Sequence, residues 1–469
     1  MNHRNNVKKI TIKGDDTMNQ LIQSLVERSR KAQQVLRSYD QEKTDAIVKM
    51  FAKVIFDNAE PLAKLAVEES RMGVYEDKVT KNRGKSRIIW NALKGKRSIG
   101  VIGTDEEAGL IEVAKPMGVI AAATPCTNPI VTPMCNAMYA VKCQNTIIIA
   151  PHPRSKKCAM AVAELYYKEL DRMGVPRDIF LVIEEPSIEL TNELMAACDV
   201  VLATGGAGVV KSAYSSGKPS YGVGPGNVQG LIDEGIDYKA AAGRMIASRI
   251  FDNGIICSGT QTIIAPEKDY DTVIKEFVSQ GAFYIDDKAV IDKLAEVVFP
   301  NGVINKKVVG QSVKTIADLA GISIPQDTKV IIVKPEKHGA GVVWSKEKMC
   351  PMMAAYSYQT WEEAVQIAYD NLVYEGEGHS ADIQSNDKNH IEYAGIKLPV
   401  SRVVVNQTCS SMAGGAFANS LNPTTTLGCG SWGNNAISEN LFYTHLMNKS
   451  RIAFVKKDWK QPTDEEIFA

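Results

Sequence analysis

The sequence predicts an α/β protein: a doubly wound parallel sheet, a second α/β region after it, and a small β element. Three observations carry this reading. Short β-rich runs alternate with helix-length segments four times between residues 119 and 215. The hundred residues before them show apolar positions at helical spacing. Further β-rich runs and helical patterns continue past residue 260, with no internal repeat or low-complexity linker. At 469 residues the chain exceeds one ordinary core, so two or three domains are expected.

In order along the chain, Met18 opens the first helical pattern, and the 17 residues before it read as a frayed tail or the product of an upstream start codon. They carry neither the apolar core of a signal peptide nor an evident amphipathic targeting helix. Ile47, Phe51, Val54 and Ile55 recur at i, i+4, i+7 and i+8, one helix face. Ser98–Lys115 has a hairpin pattern around Thr104-Asp-Glu-Glu-Ala-Gly109 and is expected to pair with a strand near Arg451–Val455. Such a hairpin has too little core to stand alone, so another subunit should cover it. The predicted parallel strands are Val119–Thr124, Thr146–Ala150, Phe180–Ile183 and Val200–Thr204. The helices between or after them are Pro129–Val141, Lys156–Met173, Ile188–Ala197 and Ala207–Ser215. Beyond a boundary near Gln229, strands are predicted at Thr262–Ala265, Val330–Val333, Met353–Tyr358 and Val403–Asn406, with helices at Tyr270–Gln280 and Glu362–Tyr369.

Bulk properties narrow the function. A 45% hydrophobic and 23% charged composition is that of a soluble globular protein. Lys plus Arg and Asp plus Glu balance at 54 each, so nothing electrostatic points to nucleic acid or membrane. The longest apolar runs are strand-length, too short for a bilayer. The nine cysteines form no C-x-x-C pair and no Cys/His cluster, which argues against a metal site. Their odd number, without a secretory signal, suggests free thiols in a reducing cytoplasm.

Chemistry concentrates in Phe251-Asp-Asn-Gly-Ile-Ile-Cys-Ser-Gly-Thr-Gln261. Cys257 there lies before a small polar-and-glycine stretch, a setting in which backbone N–H groups can stabilise the adduct of a thiolate nucleophile. Taken alone, a buried structural thiol explains it equally simply. Two loops at strand ends suit ligands, since doubly wound sheets bind them at strand carboxyl ends. Asp199-Val-Val-Leu-Ala-Thr-Gly-Gly-Ala-Gly208 offers N–H groups for a phosphate, although it is no true G-x-G-x-x-G and an empty tight turn fits as well. Ala150-Pro-His-Pro-Arg-Ser-Lys-Lys157 is a cation-rich helix start or simply a solvated loop.

The order of motifs resembles the aldehyde dehydrogenase superfamily, specifically its coenzyme A-acylating branch. The matching segments are Glu69-Ser-Arg-Met-Gly-Val-Tyr-Glu-Asp-Lys78, Thr124-Pro-Cys-Thr-Asn-Pro129, the His152 loop, Ala203-Thr-Gly-Gly206 and Gly222-Val-Gly-Pro-Gly-Asn227. The Cys257 segment, Lys346-Glu-Lys-Met-Cys-Pro351, Glu377-Gly-His-Ser380, Thr426-Leu-Gly-Cys-Gly-Ser-Trp-Gly433 and Ser450-Arg-Ile-Ala453 complete the set. The resemblance implies a cofactor domain (18–97 and 118–229), a catalytic domain (230–430) and an oligomerisation element (98–117 and 445–456) in a homodimer or homotetramer. It makes Cys257 the nucleophile and Asn128 an oxyanion donor, a kind of group whose loss costs about 10²–10³ in rate. It places Thr124, Pro125, His152, Arg154, Thr204, Gly205, Gly206, Gly224 and Glu347 at a nicotinamide dinucleotide, with Glu347 on the nicotinamide ribose. Arg154 and Lys156 would pair with a 2′-phosphate, so NADP is as open as NAD. His379 is a base or a site-shaping residue.

Hydrolytic relatives carry a glutamate general base where Val223 stands here. Without it water is poorly assisted, and a thiol, partly ionised at neutral pH, becomes the natural acceptor. Coenzyme A is therefore the implied co-substrate, with no metal. Within the branch the chain looks most like the coenzyme A-dependent succinate-semialdehyde dehydrogenases. Succinate semialdehyde ranks first as substrate, then acetaldehyde or another short aldehyde, then sulfoacetaldehyde. Arg249 and Arg402 are candidates for an anionic substrate tail. An acyl-phosphate reductase of the same fold and a non-catalytic scaffold are the remoter alternatives.

Overall fold

The computed structural model describes residues 19–469, so the expectations about Met18 and the tail before it lie outside the described residues. The described part opens with helices Gln20–Leu36, Gln41–Asp57, Ala59–Ser70 and Tyr75–Leu93. Asn19 and Asp40 cap the first two through side-chain oxygens that accept from Leu21 and Lys43 N–H. Ile47, Phe51, Val54 and Ile55 are all buried, as their spacing predicts.

The strands in chain order are β1 (Gly100–Asp105), β2 (Leu110–Pro116), β3 (Val119–Thr124), β4 (Thr146–Pro151), β5 (Phe180–Val182), β6 (Val200–Thr204) and β7 (Ser220–Val223). They continue with β8 (Gln229–Ile232), β9 (Thr262–Pro266), β10 (Ala282–Ile285), β11 (Val330–Val333), β12 (Met352–Tyr358), β13 (Ala381–Gln384), β14 (Val403–Val405) and β15 (Met447–Ala453). Strands β3–β7 form one five-stranded sheet in the order β5-β4-β3-β6-β7, every pair parallel. Both faces are covered, which is why every residue of β3 and β4 is buried. Ile120 and Ala122 pack into a core with Phe51, Tyr139 and Tyr166, while Val119, Ala121 and Ala123 pack against Ile22, Leu25 and Leu194 on the other face.

Strands β8–β14 form a seven-stranded sheet in the order β10-β11-β12-β9-β8-β13-β14, again parallel throughout. Four of the observed parallel strands, β7, β8, β10 and β13, escaped the sequence pattern. β13 shows why: it alternates apolar residues with Asp382 and Gln384, which are fully buried yet polar. Asp382 accepts from Thr260 Oγ1 and Gln384 Nε2, each at 2.6 Å, so its burial is satisfied by hydrogen bonds that no local pattern reveals. The β1–β2 hairpin is confirmed, with β15 antiparallel to β2. The C-terminal strand is shifted toward the amino terminus of the expected Arg451–Val455, beginning at Met447 and ending at Ala453. No helix among the described residues is long and apolar enough to cross a membrane.

One carboxylate aligns the five-stranded sheet. Asp199, at the foot of β6, accepts from the Val119 N–H at 2.8 Å and from both terminal nitrogens of Arg30 at 2.8 and 2.9 Å. Gly118 has φ +135°, and a Cβ there would overlap the Asp199 carboxylate, so glycine is required beside it. Asp199→Ala should lower stability by about 1–3 kcal/mol, because the fully buried Val119 N–H loses its acceptor. A lower urea midpoint checks this.

Candidate active site

Two strand edges meet at the site. At β3 the chain winds one way to β4 and the other way to β6, the switch point at which such sheets bind ligands. The loops leaving the carboxyl ends of these strands carry Thr124, Pro125 and Asn128, then His152 and Arg154, then Thr204, Gly205 and Gly206. They are cross-tied, with the His152 N–H donating to Thr124 O at 3.0 Å. Helix Ala207–Ser215 starts at Gly206 without a side-chain cap, which leaves first-turn N–H groups for an anion. The expected cations have protein partners: Arg154 donates to Ser70 O at 2.6 Å, and Lys156 is paired with Glu185. The His152 ring is pushed below its usual pKa by burial and by Arg154 and Lys306.

The second sheet contributes its amino ends, the opposite polarity. Gly224 precedes β8, Cys257 precedes β9, Glu347 precedes β12, His379 precedes β13 and Arg402 precedes β14. The segment between β7 and β8 therefore spans the meeting edges, and Gly226 lies against the nucleophile segment. A Cβ at Gly226 would overlap the Cys257 carbonyl oxygen. Asn227 bolts this segment down by donating to Ser345 O at 2.6 Å and Glu375 O at 2.8 Å.

Cys257 is half-buried, and burial pushes its thiol up to about 12; Glu347 and Cys429 add to the rise, while Arg402 and a backbone N–H oppose it. Glu347 accepts from the Gly226 N–H at 3.2 Å, and burial followed by Glu375 raises its carboxyl to about 8. Val223 is buried in a small apolar cluster with Val228, Val404, Cys409, Leu427 and Cys429. The Asn128 backbone carbonyl accepts from Thr132 N–H, and its half-buried carboxamide makes no hydrogen bond among the described residues.

His379 is fully buried, with Nδ1 3.0 Å from Ser380 Oγ and Nε2 without a partner. Burial, then Arg402, pushes its ring down to about 3, so it is neutral. Arg402 fixes this turn: Nε donates to Ser380 Oγ at 3.2 Å, one terminal nitrogen to Asn440 Oδ1 at 3.2 Å and the other to His379 O at 2.6 Å. Arg249 is fully buried as well and donates to the Gly254 and Gly259 carbonyls on either side of Cys257. Both arginines are thus occupied in bracing loops.

The group that sequence reasoning missed is an ionic clamp behind the thiol. Asp252 and Asn253 both adopt left-handed backbone, φ 53° and 52°, a conformation costing about 1–3 kcal/mol per residue. Asp252 Oδ2 accepts from Lys78 at 3.0 Å and Lys81 at 2.6 Å, and Oδ1 accepts from Val74 N–H at 2.8 Å. Lys81 also reaches Thr127 O, beside Asn128, at 3.4 Å. One lysine therefore ties the nucleophile segment to the Asn128 loop. The only local signal was the spacing of Lys78 and Lys81 on one helix face. Among the described residues no group of His, Cys, Asp and Glu could hold a metal ion.

Comparison with known proteins agrees with this geometry. The aldehyde dehydrogenase family model matches residues 6–315. A succinate-semialdehyde dehydrogenase (acetylating) from Clostridium kluyveri is 54% identical over 447 residues, covering 95% of this chain and 98% of its own length. An acetylating aldehyde dehydrogenase from Geobacillus thermoglucosidasius superposes with a TM-score of 0.90 at 37% identity, over 94% of this chain and 98% of that one. A propionaldehyde dehydrogenase from Rhodopseudomonas palustris, solved with bound CoA and an acylated cysteine, gives a TM-score of 0.84 at 27% identity, over 93% of this chain and 97% of that one.

Two substitutions test the geometry. Asp252→Asn should destabilise by about 3–5 kcal/mol, since two buried lysines lose their counter-charge, and adding Lys78→Met should recover part of it; chemical denaturation reads both. Gly226→Ala should displace the Cys257 carbonyl, lower kcat/KM by about 10²-fold and, because the clash is with backbone, lower the unfolding midpoint too.

Proposed function

The chain belongs to the aldehyde dehydrogenase family, and from that premise we propose that it converts an aldehyde and coenzyme A to an acyl-CoA, with NAD(P) as hydride acceptor. The observation that carries this reading is Val223. An apolar cluster occupies the place where hydrolytic relatives hold a general base, next to a thiol that can carry an acyl group. The CoA and acylated cysteine of the Rhodopseudomonas palustris relative support the same route.

In this mechanism the Cys257 thiolate adds to the aldehyde carbonyl. The Asn128 carboxamide, free of protein partners, and the Cys257 N–H receive the oxyanion. The nicotinamide cofactor supplies the hydride acceptor, and its expected contacts fit: Thr204, Gly205 and the uncapped Gly206 helix start suit a pyrophosphate, with Thr124, Pro125, His152 and Gly224 around it. Glu347 is assigned to the nicotinamide ribose. Loss of hydride leaves a thioester on Cys257, and the thiol of coenzyme A displaces it. A ring pushed down to about 3 is a poor base, so His379 is assigned to shaping the site, with its unpartnered Nε2 left for a hydrogen bond there. Arg154 donates only to a neutral carbonyl and keeps its charge, while Lys156 is paired with Glu185, so a 2′-phosphate still has a cation to meet and NADP is as open as NAD.

Succinate semialdehyde is the proposed aldehyde, supported by 54% identity to the Clostridium kluyveri enzyme. Residues 18–97 and 118–229 are assigned to cofactor binding, and 230–430 to catalysis. Residues 98–117 and 445–456 are assigned to assembly as a homodimer or homotetramer in the cytoplasm; exposed Val101, Ile452, Phe454 and Val455 supply an apolar surface there.

A steady-state screen of succinate semialdehyde, acetaldehyde and sulfoacetaldehyde, with NAD and with NADP, tests the proposal. Turnover should require CoA, be highest with succinate semialdehyde, and vanish in Cys257→Ala. Equal turnover of the three aldehydes would overturn the substrate assignment. Release of free acid without CoA would overturn the acyl-CoA reading.

A further inference from the structure

We propose that Lys85 receives the anionic tail of the aldehyde substrate, a role that rests on the carboxylate-bearing substrate inferred above. Lys78, Lys81 and Lys85 lie on one face of helix Tyr75–Leu93. The first two share Asp252. Lys85, one turn further on, has no acidic partner among the described residues. Its ammonium donates to Gly414 O at 2.9 Å and Thr424 O at 3.2 Å. An ammonium has three N–H groups, so one donor and the full charge remain uncompensated. Lys85 is half-buried, its only protein partners are neutral carbonyls, and desolvation lowers its pKa to about 8. An anion arriving with the substrate would satisfy both needs.

The location suits a tail whose aldehyde end lies on Cys257. The preceding turn of this helix face touches Thr127 O beside Asn128 through Lys81. The segment carrying Gly414 passes the nucleophile, with Ser258 Oγ donating to Ser410 O at 3.1 Å. A Cβ at Gly414 would come within 2.8 Å of the ammonium, so glycine makes room for it. The charge of a Cys257 thiolate is felt at Lys85. The other cations near the thiol are held in loops: Arg402 uses all three guanidinium nitrogens on Ser380, Asn440 and His379, and Arg249, fully buried with its Nε unpartnered, has both terminal nitrogens on the Gly254 and Gly259 carbonyls.

The test compares kcat/KM for succinate semialdehyde, sulfoacetaldehyde and uncharged butyraldehyde in the wild type, Lys85→Met and Lys85→Arg, each with CoA and NAD. The wild type should prefer succinate semialdehyde over butyraldehyde. Lys85→Met should cut that preference by about tenfold or more, the scale of a lost hydrogen bond to a charged group, chiefly through KM. Lys85→Arg should restore part of it. The sulfoacetaldehyde arm separates a carboxylate from a sulfonate tail, and the better wild-type substrate should lose more. If Lys85→Met does not fold, Lys85→Gln keeps a donor for Gly414 and Thr424 and should show the same change in preference. Equal losses on charged and uncharged aldehydes would reduce Lys85 to a brace and overturn the proposal while leaving the substrate assignment intact. A wild type with no preference for succinate semialdehyde would overturn the substrate assignment itself.

Discussion

The Asp252 carboxylate is the interaction on which the site depends. It is fully buried and sits five residues before the thiol, in a backbone conformation that a free chain avoids. Lys78, Lys81 and the Val74 N–H hold it there, and all three come from the opening helical layer rather than from the second sheet. A buried carboxylate without counter-charge would be too costly to keep, and so would the two lysines without it. The geometry of Cys257 is therefore set by a partner more than 170 residues distant in sequence.

The opposed polarity of the two sheets follows from the same crossing. The first sheet ends its strands at the site, where loops and an uncapped helix start suit a dinucleotide. The second sheet begins its strands there, so its site residues sit in the segments entering β8, β9, β12, β13 and β14. Gly226 works at close quarters where these edges meet, because a glycine lets one backbone approach the Cys257 carbonyl.

Charge at the site is asymmetric. The wall around Val223 is apolar, Glu347 and Arg402 act on Cys257 in opposite directions, and burial keeps the resting thiol neutral. A thiol acceptor tolerates such a wall better than water does, since water needs a nearby base to become nucleophilic. The positive charges are arranged behind and beside the thiol, on one helix face and in two braced guanidinium groups. The two helix lysines at the clamp share one carboxylate; the one beyond it has none.

Much of the architecture was legible in the chain. Strands β3, β4, β6, β9, β11 and β12 are short apolar runs, and their alternation with helices specifies a parallel sheet. The order of motifs around Asn128, Val223, Cys257 and Glu347 specified the family and the direction of its chemistry, because each motif is local and its residue types are required by the reaction. What only the tertiary structure decided is how charge is compensated. Polar β13 is buried because Thr260 serves Asp382, and Arg249 and Arg402, suited by type to an anionic tail, donate to neutral oxygens of the surrounding loops. Lys85 reads as one more surface cation until the loop at Gly414 closes over it. Hydrogen-bond satisfaction and counter-charge depend on groups hundreds of residues apart, and sequence periodicity reports only the local face of each element.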